Sequence, residues 1–163
     1  MIHYYYGYGK GKTSAAAGAC LRAAGSGMRC AFVQFLKNGT SGEVGILRKG
    51  IADVFDCGGK ADFPSNMNDE QKAELRKVHD SNLRAAMAGG YDLIVLDELG
   101  DSIDCGLIDT GAVEKMLARP CELVITGHTA TPQLMSRADY ITGFRSISHP
   151  YDRGIAARKG IEY

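Results

Sequence analysis

The 163-residue chain has no tryptophan, only 4 prolines and no excess of either charge, its 19 lysines and arginines balancing 19 aspartates and glutamates. Each shortfall excludes something. Balanced charge provides no bulk attraction for nucleic acid or for an anionic membrane surface, so any anion must be held by a local site. No apolar run reaches the roughly 18 residues of a membrane span, and no basic stretch precedes a long apolar one as in a secretory signal. These absences predict a cytoplasmic protein that binds neither nucleic acid nor membrane. Cys20, Cys30, Cys57, Cys105 and Cys121 are odd in number and never spaced as CxxC, which argues against a disulfide framework or a zinc site and for buried thiols. The length predicts one domain, 1–163, able to bury about two thirds of the surface its unfolded form would expose.

What the chain has in plenty is glycine, 21 residues, and three of them fall in the stretch YGYGKGKT at 6–13. An apolar run precedes it and an alanine-rich run follows, so it reads as strand, phosphate-binding loop and helix. Gly7, Gly9 and Gly11 lack Cβ and let the backbone turn N–H groups inward toward an anion. Lys12 adds a point charge, Thr13 stands where a hydroxyl would ligate Mg²⁺, and the helix beginning here offers unpaired N–H groups and a positive dipole end. The general pattern GxxxxGK[ST] wants its first glycine at position 6, where this chain has Tyr6, with Gly7 taking over the turn. The alternative is a glycine-rich hairpin without a ligand.

Apolar runs suited to buried strands occur at 2–6, 30–36, 51–55, 93–96, 123–126 and 140–142. Several are continuous rather than alternating, as in a parallel sheet covered on both faces. Helices are predicted at 12–24, 43–49, 68–88, 110–118 and 131–136. The alternation implies a three-layer α/β/α domain of the phosphate-loop, RecA-like kind with a mainly parallel sheet. Asp69 and Glu70 favour the start of the long helix, and Gly89-Gly90 stops it. The segments 37–42 and 57–66 are rich in loop formers and are expected to flank a ligand cleft at the carboxyl ends of the strands. After the strand-like 91–96 come Asp97 and Glu98, placed to hold Mg²⁺ directly or through water. Gln34 and Lys37, at another strand's carboxyl end, are expected to face the same cleft.

These segments resemble the ATP:corrinoid adenosyltransferases of cobalamin biosynthesis and salvage almost end to end. The likeness runs through GYGKGKTSAAAGACLRAAGSG, VQFLKNG, YDLIVLDEL, ITGH and ADYITGFRSISHPYDRGIAARKGIEY. The terminal HPYDRGIAARKGIEY discriminates best, because ordinary kinases and ATPases do not end this way, and the family loop also lacks the first glycine. The resemblance implies that Co(I) of a corrinoid (cobalamin, cobinamide or cobyrinic acid a,c-diamide) attacks C5′ of ATP and releases triphosphate. The loop would then neutralise a leaving triphosphate, and the nucleophile belongs to the substrate, so no catalytic triad is expected.

By the same resemblance Lys12, Thr13 and Glu98 carry catalysis, and Gly7, Gly9, Lys10, Gly11, Lys12, Thr13 and Ser14 line the phosphates. Thr13, Asp97 and Glu98 serve the metal, and Arg22 matches an arginine near the nucleotide, its alternative being a solvated helix charge. A homodimer and an electron donor for Co(II) are implied too. Two departures stand out. Many relatives have TGR where this chain has Thr126-Gly127-His128, so at this ATP-binding position a fixed cation near the nucleotide is replaced by His128, expected to be mostly neutral near pH 7, which donates a hydrogen bond or fills space. Some relatives also place FTW before the long helix to cover the corrin face, whereas here the stretch is DFPSNM at 62–67. Phe63, with Met67 as helper, is the expected corrinoid contact, its alternative being loop packing. Some relatives carry an N-terminal extension that closes the site, and here the loop 57–66 or a partner subunit is expected to cap it. His149 is expected to be structural or to touch substrate rather than to bind cobalt. His3 and His79 carry no supporting pattern. The competing functions are a nucleotide-dependent adenosylcorrinoid carrier or sensor without turnover, and an ordinary ATPase or kinase.

Overall fold

The computed structural model describes residues 1–161 and builds one six-stranded sheet in which every pairing is parallel. The last two residues of the C-terminal segment quoted above lie outside the described residues. Strand β1 (Ile2–Tyr6) leads through the glycine loop into α1 (Lys12–Gly25), followed by β2 (Cys30–Gln34), α2 (Gly42–Leu47) and β3 (Asp53–Phe55). A 3₁₀ turn at Pro64–Asn66 precedes the long α3 (Asp69–Ala88). Then come β4 (Leu93–Asp97), α4 (Leu99–Asp104), α5 (Thr110–Leu117), β5 (Glu122–Gly127), α6 (Pro132–Met135) and β6 (Tyr140–Gly143). The strand order is β3-β2-β4-β5-β1-β6, so one strand, β5, separates the loop strand from the strand that ends in Asp97.

The apolar runs explain which strands lie inside. Every residue of β2 and β4 is buried, as expected for strands covered on both faces. Alternate residues serve the two sides: Ile94 and Leu96 pack with Leu83, Val113 and Met116 from α3 and α5, while Leu93 and Val95 pack with Ala16, Cys20 and Ala23 of α1. Small residues on the inner stripe of α1 suit a helix lying close on a sheet. Helix α3 starts as its sequence predicts, because Asn68 and Gln71 each accept the other's backbone N–H at 2.9 Å, a capping box.

Four expectations change. Strand β2 stops at Gln34 rather than position 36, since Leu36 adopts φ 55°, a left-handed conformation no strand contains. Strand β3 begins at Asp53, two residues late. Strand β6 is exposed along its length, an edge strand beside β1. Helix α4 was not anticipated: it starts one residue after β4 and is only six residues long. It lies so close to β5 that a Cβ on Gly100 would sit 3.1 Å from Gly127 Cα and 2.7 Å from the Tyr4 hydroxyl. Of the thiols expected to be buried, Cys20, Cys30 and Cys57 are, Cys121 is partly exposed and Cys105 is exposed. No helix among the described residues is long and apolar enough to cross a membrane.

Candidate nucleotide and metal site

The loop is braced by its neighbours before it meets any ligand. Gly7 N–H donates to Gly127 O at 3.2 Å and His128 O at 3.1 Å, and Gly9 N–H donates to Phe144 O at 2.8 Å. A Cβ on Gly9 would lie 2.7 Å from Phe144 C and 2.8 Å from Arg145 N, so glycine is needed here to admit the segment that follows β6. The amides of both glycines are thus committed to protein carbonyls; Gly9 still lines the main cavity, whereas Gly7 does not. Gly11, at φ 108°, supplies the left-handed turn directly before α1. Tyr6, where the general pattern has glycine, is the last residue of β1, with Gly127 and Gly143 as its register partners on the two sides.

A cavity of about 560 Å³ opens at the start of α1, lined by Gly9 to Ser14, by Lys37 and Glu98, by Ser41 to Glu43 and by Gly160 with Ile161. The first turn of α1 has no acidic residue, so its N–H groups and dipole face an anion unopposed. Lys12 is only 7% exposed and donates to Gly9 O at 3.3 Å. Burial pulls its ammonium below the ordinary lysine value, against the pull of Glu98 and other nearby carboxylates.

Beside this cavity lies a tight oxygen cluster. Asp97, fully buried, takes Thr13 Oγ1–H (2.9 Å) and Thr126 Oγ1–H (2.8 Å) on Oδ1, and Gln34 Nε2–H (3.2 Å) and Lys37 Nζ (2.8 Å) on Oδ2. Lys37 Nζ also reaches Thr13 Oγ1 at 3.0 Å and Glu98 Oε1 at 3.1 Å. Burial alone would lower the Lys37 pKa, but Asp97 and Glu98 outweigh it and raise it. Thr126 also receives Glu98 N–H at 2.8 Å, which holds Glu98 in its left-handed conformation, φ 62°. Thr13, Asp97 and Glu98, the predicted metal ligands, therefore converge on one point, and a side-chain cation stands there. A seat in which three hard oxygens accept from one ammonium suits Mg²⁺ chemistry.

Glu98 meets a second group. His128 Nδ1 lies 3.0 Å from Asp101 Oδ1 and 3.4 Å from Glu98 Oε2, and His128 N–H donates to Asp101 Oδ2 at 3.2 Å. Hydrogen bonding to Asp101 first, then to Glu98, raises the His128 pKa to about 9. Burial would raise the Glu98 carboxyl, but His128, Asp101 and Lys37 hold it well below the usual carboxylate range. Burial raises Asp101, opposed by the His128 hydrogen bond and reinforced by Glu98 beside it. The sequence alone suggests a mostly neutral histidine; the two carboxylates beside His128 favour its charged form instead. Because its folded pKa lies above the unfolded 6.5, the stabilisation is fully present below about pH 6.5 and is lost as pH rises through about 9. In the metal- and nucleotide-free protein, Tm should fall more steeply between pH 7 and 9.5 than in His128→Gln. Parallel Tm profiles for the two proteins would show an uncharged histidine. His128 is 40% exposed, so solvent screening keeps the amplitude modest.

On the other side of Lys37 and Glu98 is a second cavity of about 500 Å³, lined by Leu36, Ala61 to Pro64, Asp101, Cys105 and His128. Phe63 stands in its wall with 76% of its surface exposed. The structure does not bring Met67 or Arg22 to either cavity. Met67 is buried with Cys57, Leu75 and Leu107 in a small core under the loop, where its apolar side chain is better satisfied. Arg22 is exposed in the last turn of α1, about 15 Å along the helix from Lys12, where a cation complements the helix dipole. His149 accepts Tyr151 N–H at 3.2 Å and caps a 3₁₀ turn at Pro150–Arg153, a structural role.

One positioning residue carried no sequence signal. His79, fully buried on α3, accepts Leu36 N–H on Nε2 at 3.1 Å, and its Nδ1 lies 2.8 Å from Leu107 O. Burial pushes its pKa down, so it works as a neutral ring holding the left-handed turn that carries Lys37. Only a partner 43 residues away gives the residue meaning.

The geometry agrees with what the chain is similar to. Residues 1–163 match the family model described as ATP:corrinoid adenosyltransferase BtuR/CobO/CobP. The corrinoid adenosyltransferase of Pseudomonas aeruginosa is 32% identical over 170 residues, covering 100% of this chain and 83% of the relative. Corrinoid adenosyltransferase CobA of Salmonella typhimurium is 30% identical and the Escherichia coli K12 enzyme 29%, each over 100% of this chain and 85% of the relative. A match along the whole chain, with the loop, the acidic strand end and two adjoining cavities in place, means that this chain belongs to the ATP:corrinoid adenosyltransferase family.

Proposed function

We propose that the protein transfers the 5′-deoxyadenosyl group of ATP to Co(I) of a corrinoid and releases triphosphate, in cobalamin biosynthesis or salvage. The observation that carries this is the pair of cavities divided by Lys37 and Glu98, one rimmed by backbone amides and lysines, the other by Phe63, Leu36 and Pro64. A polyanion suits the first and a large apolar ring face the second. The Co–C5′ bond forms as the C5′–O bond breaks, and the electron pair leaves on the triphosphate. Lys12, the amides at the start of α1 and Lys10 bind and orient that leaving group. In this reading Thr13, Asp97 and Glu98 hold Mg²⁺, which neutralises charge on the triphosphate when bound. Phe63 lies against the corrin and keeps water from it, which eases reduction by an external electron donor. No side chain need act as nucleophile or base, which agrees with a site rich in cations and metal-type oxygens. A homodimer and a cytoplasmic location accompany this reading.

Incubation with ATP, Mg²⁺ and chemically reduced cobalamin or cobinamide should form a Co–C bond, seen as an absorbance change that light reverses. Phosphorus NMR should show triphosphate in excess over enzyme. ADP as product would make the protein an ATPase or kinase, and a single turnover with tightly held product would make it a carrier.

A further inference from the structure

The Lys37 ammonium sits where the three predicted metal ligands converge, and its three protons are matched to three oxygens: Thr13 Oγ1 at 3.0 Å, Asp97 Oδ2 at 2.8 Å and Glu98 Oε1 at 3.1 Å. Asp97 has no acceptor site left, because Thr13 and Thr126 occupy Oδ1 while Gln34 and Lys37 occupy Oδ2. A divalent ion cannot reach Asp97 or Thr13 until Lys37 leaves. The backbone is shaped for this placement: Leu36 takes a left-handed conformation that is strained for a non-glycine residue, and buried His79 pins its N–H. Lys37 also lines the nucleotide cavity, so an ammonium displaced from the carboxylates meets an anion there without crossing to solvent.

We propose that Lys37 is a placeholder cation that makes metal binding conditional on the triphosphate. Free Mg²⁺ must give up hydration and evict a lysine already bonded to three oxygens, and it gains few protein oxygens in return. Mg²⁺ arriving with a nucleotide brings phosphate oxygens for itself and a new partner for Lys37. The protein therefore holds its acidic cluster partly neutralised at rest and takes up ion and nucleotide together. The inference rests on Thr13, Asp97 and Glu98 as the metal seat, not on corrinoid chemistry.

Mn²⁺ alone is the probe, its free-ion electron paramagnetic resonance signal reporting binding without nucleotide or corrinoid. Wild type should bind weakly, and Lys37→Met, which keeps the apolar stem, should bind at least tenfold tighter. Lys37→Gln should behave like Lys37→Met, and Lys37→Arg, which retains a cation, like wild type. Adding Asp97→Asn to Lys37→Met should abolish the gain. Tm should rise with Mn²⁺ in Lys37→Met or Lys37→Gln but not in wild type. Equal Mn²⁺ affinity in wild type and the neutral variants would overturn the proposal, as would tight binding that survives Asp97→Asn. A protein inactive on corrinoids could still pass this test, so the two readings fail separately.

Discussion

Replacing Lys12 by alanine is expected to slow adenosyl transfer by about 10²–10³-fold, the usual loss for one preorganised donor at the site of developing charge. The side chain is the first residue of α1, 7% exposed, with a single hydrogen bond at 3.3 Å among the described residues. Two of its three protons are thus available to a ligand in the cavity that Lys12 lines. Burial already lowers its pKa, so the folded protein carries a cation it would rather hydrate, and an anionic leaving group relieves that cost. The same reasoning gives a control. Without nucleotide, Lys12→Ala should melt no lower than wild type, because it removes an under-solvated charge. Steady-state kinetics with reduced cobalamin, beside a thermal melt, checks both, and turnover within threefold of wild type would mean that the loop does not hold the leaving group.

Asp97→Ala should have the largest effect on stability, about 3 kcal/mol. Removing one member of a buried ion pair commonly costs 3–5 kcal/mol, and Lys37 is 33% exposed and can turn toward solvent, so the lower end applies. Thr13, Thr126 and Gln34 lose an acceptor at the same time. For a chain of this length that corresponds to a fall in Tm of about 6–12 °C. Asp97→Asn keeps the shape and one acceptor and should fall less. Denaturant melts of both variants measure the difference, and an alanine variant within 1 kcal/mol of wild type would show that the cluster does not support the fold.

The parts of the molecule written in local pattern could be read without a structure. Strands β2 and β4 announce themselves as unbroken apolar runs, α3 by its capping residues, and the loop by glycines before a lysine and a threonine. Asp97 and Glu98 follow from standing at a strand end. What could not be read depends on contacts across the chain. Leu36 gives no warning of a left-handed turn, since leucine rarely adopts one and His79 enforces it from another element. His128 is drawn toward its charged form by Asp101 and Glu98, and Asp101 belongs to a helix too short to leave a periodic signal. Gly7 and Gly9 stand out as loop glycines, but the carbonyls that claim their amides come from the end of β5 and the segment after β6. Met67 resembles a ligand contact by position, and only the packing of Cys57, Leu75 and Leu107 shows it as core.

The strand order also acts as a ruler. With β5 inserted between β1 and β4, the loop and the acidic strand end stand two strand spacings apart, roughly 10 Å. The inserted strand ends in Thr126 and Gly127: the hydroxyl ties down Asp97 and Glu98, and the glycine leaves the space above it low. A Cβ on Gly127 would meet the Tyr4 hydroxyl at 2.8 Å and Gly100 Cα at 3.0 Å, so this floor cannot be raised without pushing α4 away. The spacing between the strand that leads into the loop and the strand that ends in Asp97 is therefore fixed by the sheet, and moving the two apart would mean rebuilding it rather than replacing a side chain.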